Sequence, residues 1–173
     1  AYRTPGRQNK KARGTGINHP GGVTVHYFLK EDPDTSKIQL SFLELNGDTI
    51  KTFSTHSKKK NEKLEVKQGG NTFTWDMSYP NAKKFDGMIL WWASLAGPKA
   101  IPSAYKVALS VNGETVEKEY KIVKDPRTTS SDADFKAQFD FIKEIGDKLT
   151  EAHQSIINIR DIRKQMQNYT ERL

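Results

Sequence analysis

From Gly22 onward the chain alternates apolar and polar positions with a period of two. Val23, Val25, Tyr27 and Leu29 are separated by Thr24, His26 and Phe28, the pattern of a half-buried strand. Asp32-Pro33-Asp34 interrupts it. Ile38, Leu40 and Phe42 open a second strand that runs to Leu45. The dipeptide Asn46-Gly47 then predicts a hairpin through a type I′ turn, whose two central residues need positive φ. The return strand spans Asp48 to Thr55. A lysine-rich turn, Lys58 to Lys63, leads to a short strand around Leu64 and Val66.

After Gly69-Gly70, residues Asn71 to Asp76 read as a strand with Phe73 and Trp75 on one face. Residues 77–87 read as an irregular loop. The unbroken apolar run Met88 to Ala93 predicts a short, fully apolar strand, followed by a Gly97-Pro98 turn. Tyr105, Val107, Leu109 and Val111 alternate again. Asn112-Gly113 marks a second hairpin, returning through Val116, Tyr120 and Ile122. Seven or eight short antiparallel strands within about 100 residues, with no helix between them, predict a β-sandwich over residues 22–125.

Asp125-Pro126 ends the alternation, and residues 126–173 change period. Ser131 followed by Asp134 resembles a capping box, with Asp in place of Glu or Gln. Phe135, Ile142, Leu149 and Ile156 form one apolar line. Ile145, Ala152, Ile159, Met166 and Leu173 form another, and together they give the 3-4 spacing of a heptad pattern. Phe139, Phe141, Ile157 and Ile162 widen the stripe. One continuous helix would extend about 60 Å, longer than the sandwich it leaves; the alternative is a break at Gly146 into a helical pair. Phe135, Ile142, Ile145, Leu149, Ile156, Ile159 and Met166 are therefore the expected interface, buried against the sandwich, another helix or another copy.

Charge adds a tail to this picture. The net formal charge is +7, and Arg3, Arg7, Lys10, Lys11 and Arg13 lie in the first twenty residues with no acid among them. With Pro5, Gly6, Gly14, Gly16 and Pro20 interspersed, residues 1–21 read as a basic flexible linker. The tail and Lys58-Lys59-Lys60 carry phosphate-binding charge, but no recognition helix, RNP pattern or zinc module accompanies them, so no nucleic acid is expected. No apolar run reaches the roughly 20 residues of a membrane span. The chain has no cysteine, which excludes disulfides and thiolate metal sites and leaves the compartment open.

Candidate chemistry is sparse. His19, His26, His56 and His153 are scattered over different elements, and no HExxH, G-x-S-x-G or P-loop occurs; Gly14-x-Gly16 follows no strand. Asp76 and Asp86 could be drawn as a glycosidase carboxylate pair across the 77–87 loop, although a capping or tethering role for Asp76 suits its place after a strand better. No catalytic residue, cofactor or metal ligand is assigned. Trp91, Trp92 and Tyr79 are the candidate contact residues, since flat aromatics either stack on pyranose rings or pack between domains. In a strand the adjacent Trp91 and Trp92 point to opposite faces, so one is expected in a core and the other covered or exposed.

Gly70-Asn71-x-Phe73-x-Trp75-Asp76, Ile101-Pro102-Ser103-Ala104-Tyr105-Lys106-Val107-x-Leu109, Asn112-Gly113 and Tyr120-x-Ile122 resemble the immunoglobulin-like domain of the flagellar hook-capping type, related in architecture to fibronectin type III modules. Ala104 replaces that pattern's glycine, and the stretch from Asp76 to Pro102 is longer than usual. With WDMSYP, DGMILWWASLAGPKAIP, KDPR and the helix, residues 22–173 are similar to the C-terminal region of secreted bacterial proteins with sortilin-like, Asp-box (BNR) β-propellers, labelled glycosyl hydrolases. The resemblance implies a periplasmic or secreted accessory domain that packs on an upstream propeller and self-associates through its helix. No Asp-box occurs in this chain, so no catalytic residue carries over to it.

Overall fold

A computed structural model describes residues 21–31, 33 and 37–172; the basic linker read at positions 1–20 lies outside them. The chain divides into two compact units: residues 21–77 with 100–130, and residues 78–99 with 131–172.

The first unit is a sandwich-like β domain of two antiparallel sheets. Its strands are β1 (Val23–Leu29), β2 (Ile38–Glu44), β3 (Thr49–Ser54), β4 (Gly69–Trp75), β5 (Ser103–Val111) and β6 (Glu114–Ile122). β1 pairs with β4; the second sheet has the order β3-β2-β5-β6. Among the described residues six strands form rather than seven or eight. The expected strand at Leu64–Val66 is instead coil beside a 3₁₀ turn at Lys60–Glu62. Leu64 is buried there and its N–H donates to the Ser54 carbonyl at 2.9 Å, so it serves the core without a ladder of its own. The expected strand at Met88–Ala93 does not form either.

Alternation explains the core. Ile38, Leu40 and Phe42 from β2 are buried, as are Ile50 and Phe53 from β3 and Trp75 from β4. These side chains meet between the sheets: Phe42 stacks on Trp75 at 4.6 Å between ring centroids, and Phe53 lies 4.5 Å from Phe73. Aromatic pairs at such separations add to the area they bury. On β5, Tyr105 is buried, stacks on its cross-strand partner Tyr120, and donates its hydroxyl hydrogen to the Ile101 carbonyl at 2.9 Å. Burial pushes the Tyr120 hydroxyl pKa well above the ordinary tyrosine range, and the neighbouring Tyr105 adds to the rise. The edge strand β6 carries Glu114, Glu117, Lys118, Glu119 and Lys121, all exposed, which discourages edge-to-edge pairing.

The two Asn-Gly turns differ. At Asn112-Gly113 both residues have positive φ (52° and 98°) between the paired Val111 and Glu114, as a type I′ turn requires. At the first hairpin only Gly47 does (98°). There the Gly47 N–H donates to the Glu44 carbonyl and the Glu44 N–H to that of Asp48. Leu45-Asn46-Gly47 is thus a three-residue loop, a turn closed by a left-handed glycine, and the expected type I′ turn is corrected. The Asn46 side chain accepts from the Asp48 N–H at 3.0 Å, an Asx turn that holds this alternative.

In the second unit α1 runs unbroken from Asp132 to Thr170. Its start is a reciprocal capping box: Ser131 Oγ accepts from the Asp134 N–H, and Asp134 Oδ2 accepts from the Ser131 N–H. Lys136–Asp140 and Lys143–Asp147 pair along the exposed surface, each worth a few tenths of a kcal/mol. Gly146 does not divide the helix, because one glycine costs only about 1 kcal/mol against alanine. A Cβ at Gly146 would meet nothing within 4 Å. Gly146→Ala is therefore expected to stabilise α1 by about 1 kcal/mol, read as slower amide exchange over residues 140–155; faster exchange would contradict it.

Candidate interaction surfaces

The loop 78–99 closes on itself before it meets the helix. Ser78 and Lys99 form an antiparallel bridge. The Tyr79 N–H donates to the Pro98 carbonyl at 2.9 Å and the Ala82 N–H to that of Leu95 at 2.8 Å. Gly97 makes this stem possible: a Cβ there would lie 2.2 Å from the Pro80 carbonyl oxygen.

The helix clasps the stem through Lys83. Thr150 Oγ1 accepts from the Lys83 N–H at 3.0 Å while donating to the Gly146 carbonyl at 2.8 Å. His153, the one buried polar residue among the described residues, places Nδ1 against the Lys83 carbonyl; since a carbonyl only accepts, Nδ1 carries the hydrogen. Phe85 lies edge-on to the His153 ring at 5.2 Å, and the Arg160 guanidinium lies over the Phe85 ring, 4.8 Å from its centroid. Arg160 also donates to the Asp86 carbonyl at 2.7 Å. Tyr79 meets Phe139 of the helix in a T-shaped contact at 4.7 Å. The bonds to the Lys83 N–H, the Lys83 carbonyl and the Asp86 carbonyl satisfy backbone that an irregular loop would otherwise leave to water.

The tip beyond the clasp is apolar and uncovered. Trp91 is 86% exposed and Trp92 98%, with Ile89 beside them at 78%. Neither tryptophan occupies a core, because Met88–Ala93 has no strand on either side to pair with.

The helix residues expected at an interface separate into two faces. Phe135, Ile142, Leu149 and Ile156 are half-buried, and they flank the line Phe139–Thr150–His153 that meets the loop. Ile145, Ile159 and Met166 are exposed. Sequence reading had not assigned Lys83, Thr150 and Arg160, nor Tyr169, which continues the exposed line at 75% accessibility. The 3-4 spacing contained the signal for Tyr169; the other three depend on contacts about seventy residues apart, which no local pattern encodes.

Asp76 and Asp86 fall in different units. Among the described residues no group of three or more histidine or carboxylate side chains is placed to hold a metal ion, and no helix is long and apolar enough to cross a membrane. No family model, curated protein or solved structure matches the chain.

Proposed function

We propose that this chain is a non-catalytic accessory and interaction domain of a larger secreted or periplasmic protein that carries an Asp-box β-propeller. In this reading the Trp91–Trp92 tip packs on the propeller, and the exposed line of α1 mediates assembly. The observation that carries it is the exposed tryptophan pair on a loop whose stem is closed and clasped. A site held by rigid backbone with large apolar side chains free is suited to burial against another surface.

The immunoglobulin-like or fibronectin III-like assignment belongs to the same proposal. A four-stranded sheet facing a smaller one supports it, as does the Tyr105 hydroxyl bound to the backbone four residues upstream, the arrangement of a tyrosine corner. The test is the coding region directly upstream of residue 1. Asp-box repeats are expected there, and the tip variant Trp91→Ser/Trp92→Ser is expected to release a propeller supplied in trans. An upstream region without such repeats ends the propeller reading.

The same exposed rings favour a second reading, a carbohydrate-binding module that stacks Trp91 or Trp92 on pyranose faces. A glycan array decides it: binding lost in Trp91→Ala or Trp92→Ala supports the module, and a blank array removes it.

A further inference from the structure

We propose that residues 13–19 of this chain dock on the free edge of β1 as a third strand of its sheet. The proposal concerns the β domain alone and stands apart from the propeller reading.

The two sheets of that domain are unequal. Trp75 and Phe73 of β4 meet Phe42 of β2 and Phe53 of β3, so β4 lies over the β3-β2 side of the four-stranded sheet. β1, paired with β4, then faces β5, and the position beside β1 faces β6. The register Leu40–Leu109–Val116 puts Val116 of β6 on the inward side with the buried Leu40. Val116 is nevertheless 63% exposed. Val23 and Val25 stand opposite Trp75 and Phe73, so the odd-numbered residues of β1 also face inward. Val23, Val25 and Tyr27 are only half-buried there. A strand beside β1 would cover both sets.

The edge itself accepts one. Among the described residues β1 pairs with β4 alone, which leaves every second N–H and C=O pointing away from β4. β6 guards its edge with five charged side chains. Val23–Leu29 contains no Lys, Arg, Asp, Glu or Pro, the residues that keep an edge unpaired.

The occupant follows from the chain that leads into β1. His19-Pro20-Gly21-Gly22 is a turn sequence, proline followed by glycine. The chain bends at Gly21 and Gly22, and Gly22 has a φ of 141°, which favours glycine. A three-residue loop, Pro20 to Gly22, sets His19 against Val23, Ile17 against Val25 and Thr15 against Tyr27. Ile17, the one β-branched aliphatic residue before Val23, then turns inward; a slip of one residue would turn it out. The same register carries the basic cluster to the far end of β1. Lys11 falls beside Glu31, with Lys10 and Arg13 next to it and Asp32 and Asp34 just beyond. Residues 1–20 hold five basic side chains and no acid, and residues 31–34 hold three acids and no base. Charge therefore selects the antiparallel pairing as well. A tether of three residues also gives this segment a higher local concentration at the edge than a separate peptide has.

Hydrogen exchange on the whole chain is the first test. Amides of residues 13–19 should exchange at least about tenfold slower than those of an unstructured chain. Ile17→Pro/Asn18→Pro removes a ladder donor whichever residues bond to β1. It should return residues 13–16 to the unstructured rate and speed exchange in β1, with β5 unchanged. Lys10→Glu/Lys11→Glu should speed exchange at residues 13–19 at low salt, and less so at high salt. Register is read from new cysteines, as the sequence has none. Asn18→Cys/Thr24→Cys should close a disulfide within one chain, the paired Cα atoms being about 5 Å apart. Asn18→Cys/Phe28→Cys, about 13 Å out of register, should stay reduced. Unstructured exchange rates at residues 13–19 overturn the proposal. So does a β1 indifferent to Ile17→Pro/Asn18→Pro, or an Asn18→Cys/Thr24→Cys disulfide that forms only between chains.

Discussion

Trp75→Ala is expected to destabilise the β domain by about 3–5 kcal/mol, the cost of emptying a large aromatic site in a packed core. Trp75 has no accessible surface, and its ring stacks on Phe42 of the facing sheet at an interplanar angle of 26°. It also lies on β4, opposite Val23 in the β1 ladder. Removing it therefore takes away the contact between the two sheets rather than a contact within one. A domain of this size has roughly 5–15 kcal/mol in all, so the variant should unfold at much lower urea with an unchanged slope. Fluorescence separates the sites: Trp75 is the buried tryptophan, while Trp91 and Trp92 are exposed. The variant should lose the blue-shifted component and keep emission typical of water-exposed indole. Trp75→Phe retains a ring against Phe42 and should cost less than half as much. A loss below about 1 kcal/mol for Trp75→Ala would mean that the sheets do not depend on this pair.

Much of the β domain was legible because its strands bury one face. Ile38-x-Leu40-x-Phe42 states both the strand and the side that enters the core, and the structure buries those three residues. The two Asn-Gly dipeptides located two hairpins but specified only one turn type. At Asn112 the flanking residues pair directly across two loop residues; at Asn46 the register between β2 and β3 shifts near Phe42 and Leu43, and the loop takes a third residue. Turn geometry thus follows from ladder register, which the dipeptide alone does not contain.

Met88–Ala93 shows the opposite limit. An unbroken apolar run states that the residues avoid water without stating what covers them, and strand, core and free surface share that signature. Tyr79 had a similar ambiguity, and its ring meets Phe139. His153 could be placed beside an apolar stripe from spacing alone. That it holds the Lys83 carbonyl depends on a loop seventy residues earlier, stiffened by a glycine whose role is steric. The helix was the most legible element, since its capping box, its period and its second apolar line are all local.

Gly97→Ala is expected to disorganise the loop while sparing the β domain. Its Cβ would stand 2.2 Å from the Pro80 carbonyl oxygen and 2.7 Å from that of Tyr79. Both are backbone atoms of the opposite side of the stem, so neither can rotate away as a side-chain tip would. Residues 95–98 must move out, which opens the Tyr79–Pro98 and Ala82–Leu95 hydrogen bonds. Overpacking of this kind costs about 1–3 kcal/mol. That is comparable with everything an irregular stem of a few bonds contributes, at about 1 kcal/mol per net hydrogen bond. The stem should therefore open rather than strain. Once it does, Lys83 is no longer delivered to Thr150 and His153, and the tryptophan tip loses its platform. Hydrogen exchange should speed up at Tyr79, Ala82 and Lys83 while residues 38–54 and 103–122 keep their protection. Binding through Trp91 and Trp92 should weaken although both rings remain in the sequence, because a mobile tip has to be ordered on contact. Unchanged exchange at Tyr79 and Ala82 would show that the chain relaxes around the added methyl, and that the stem is not what holds the tip.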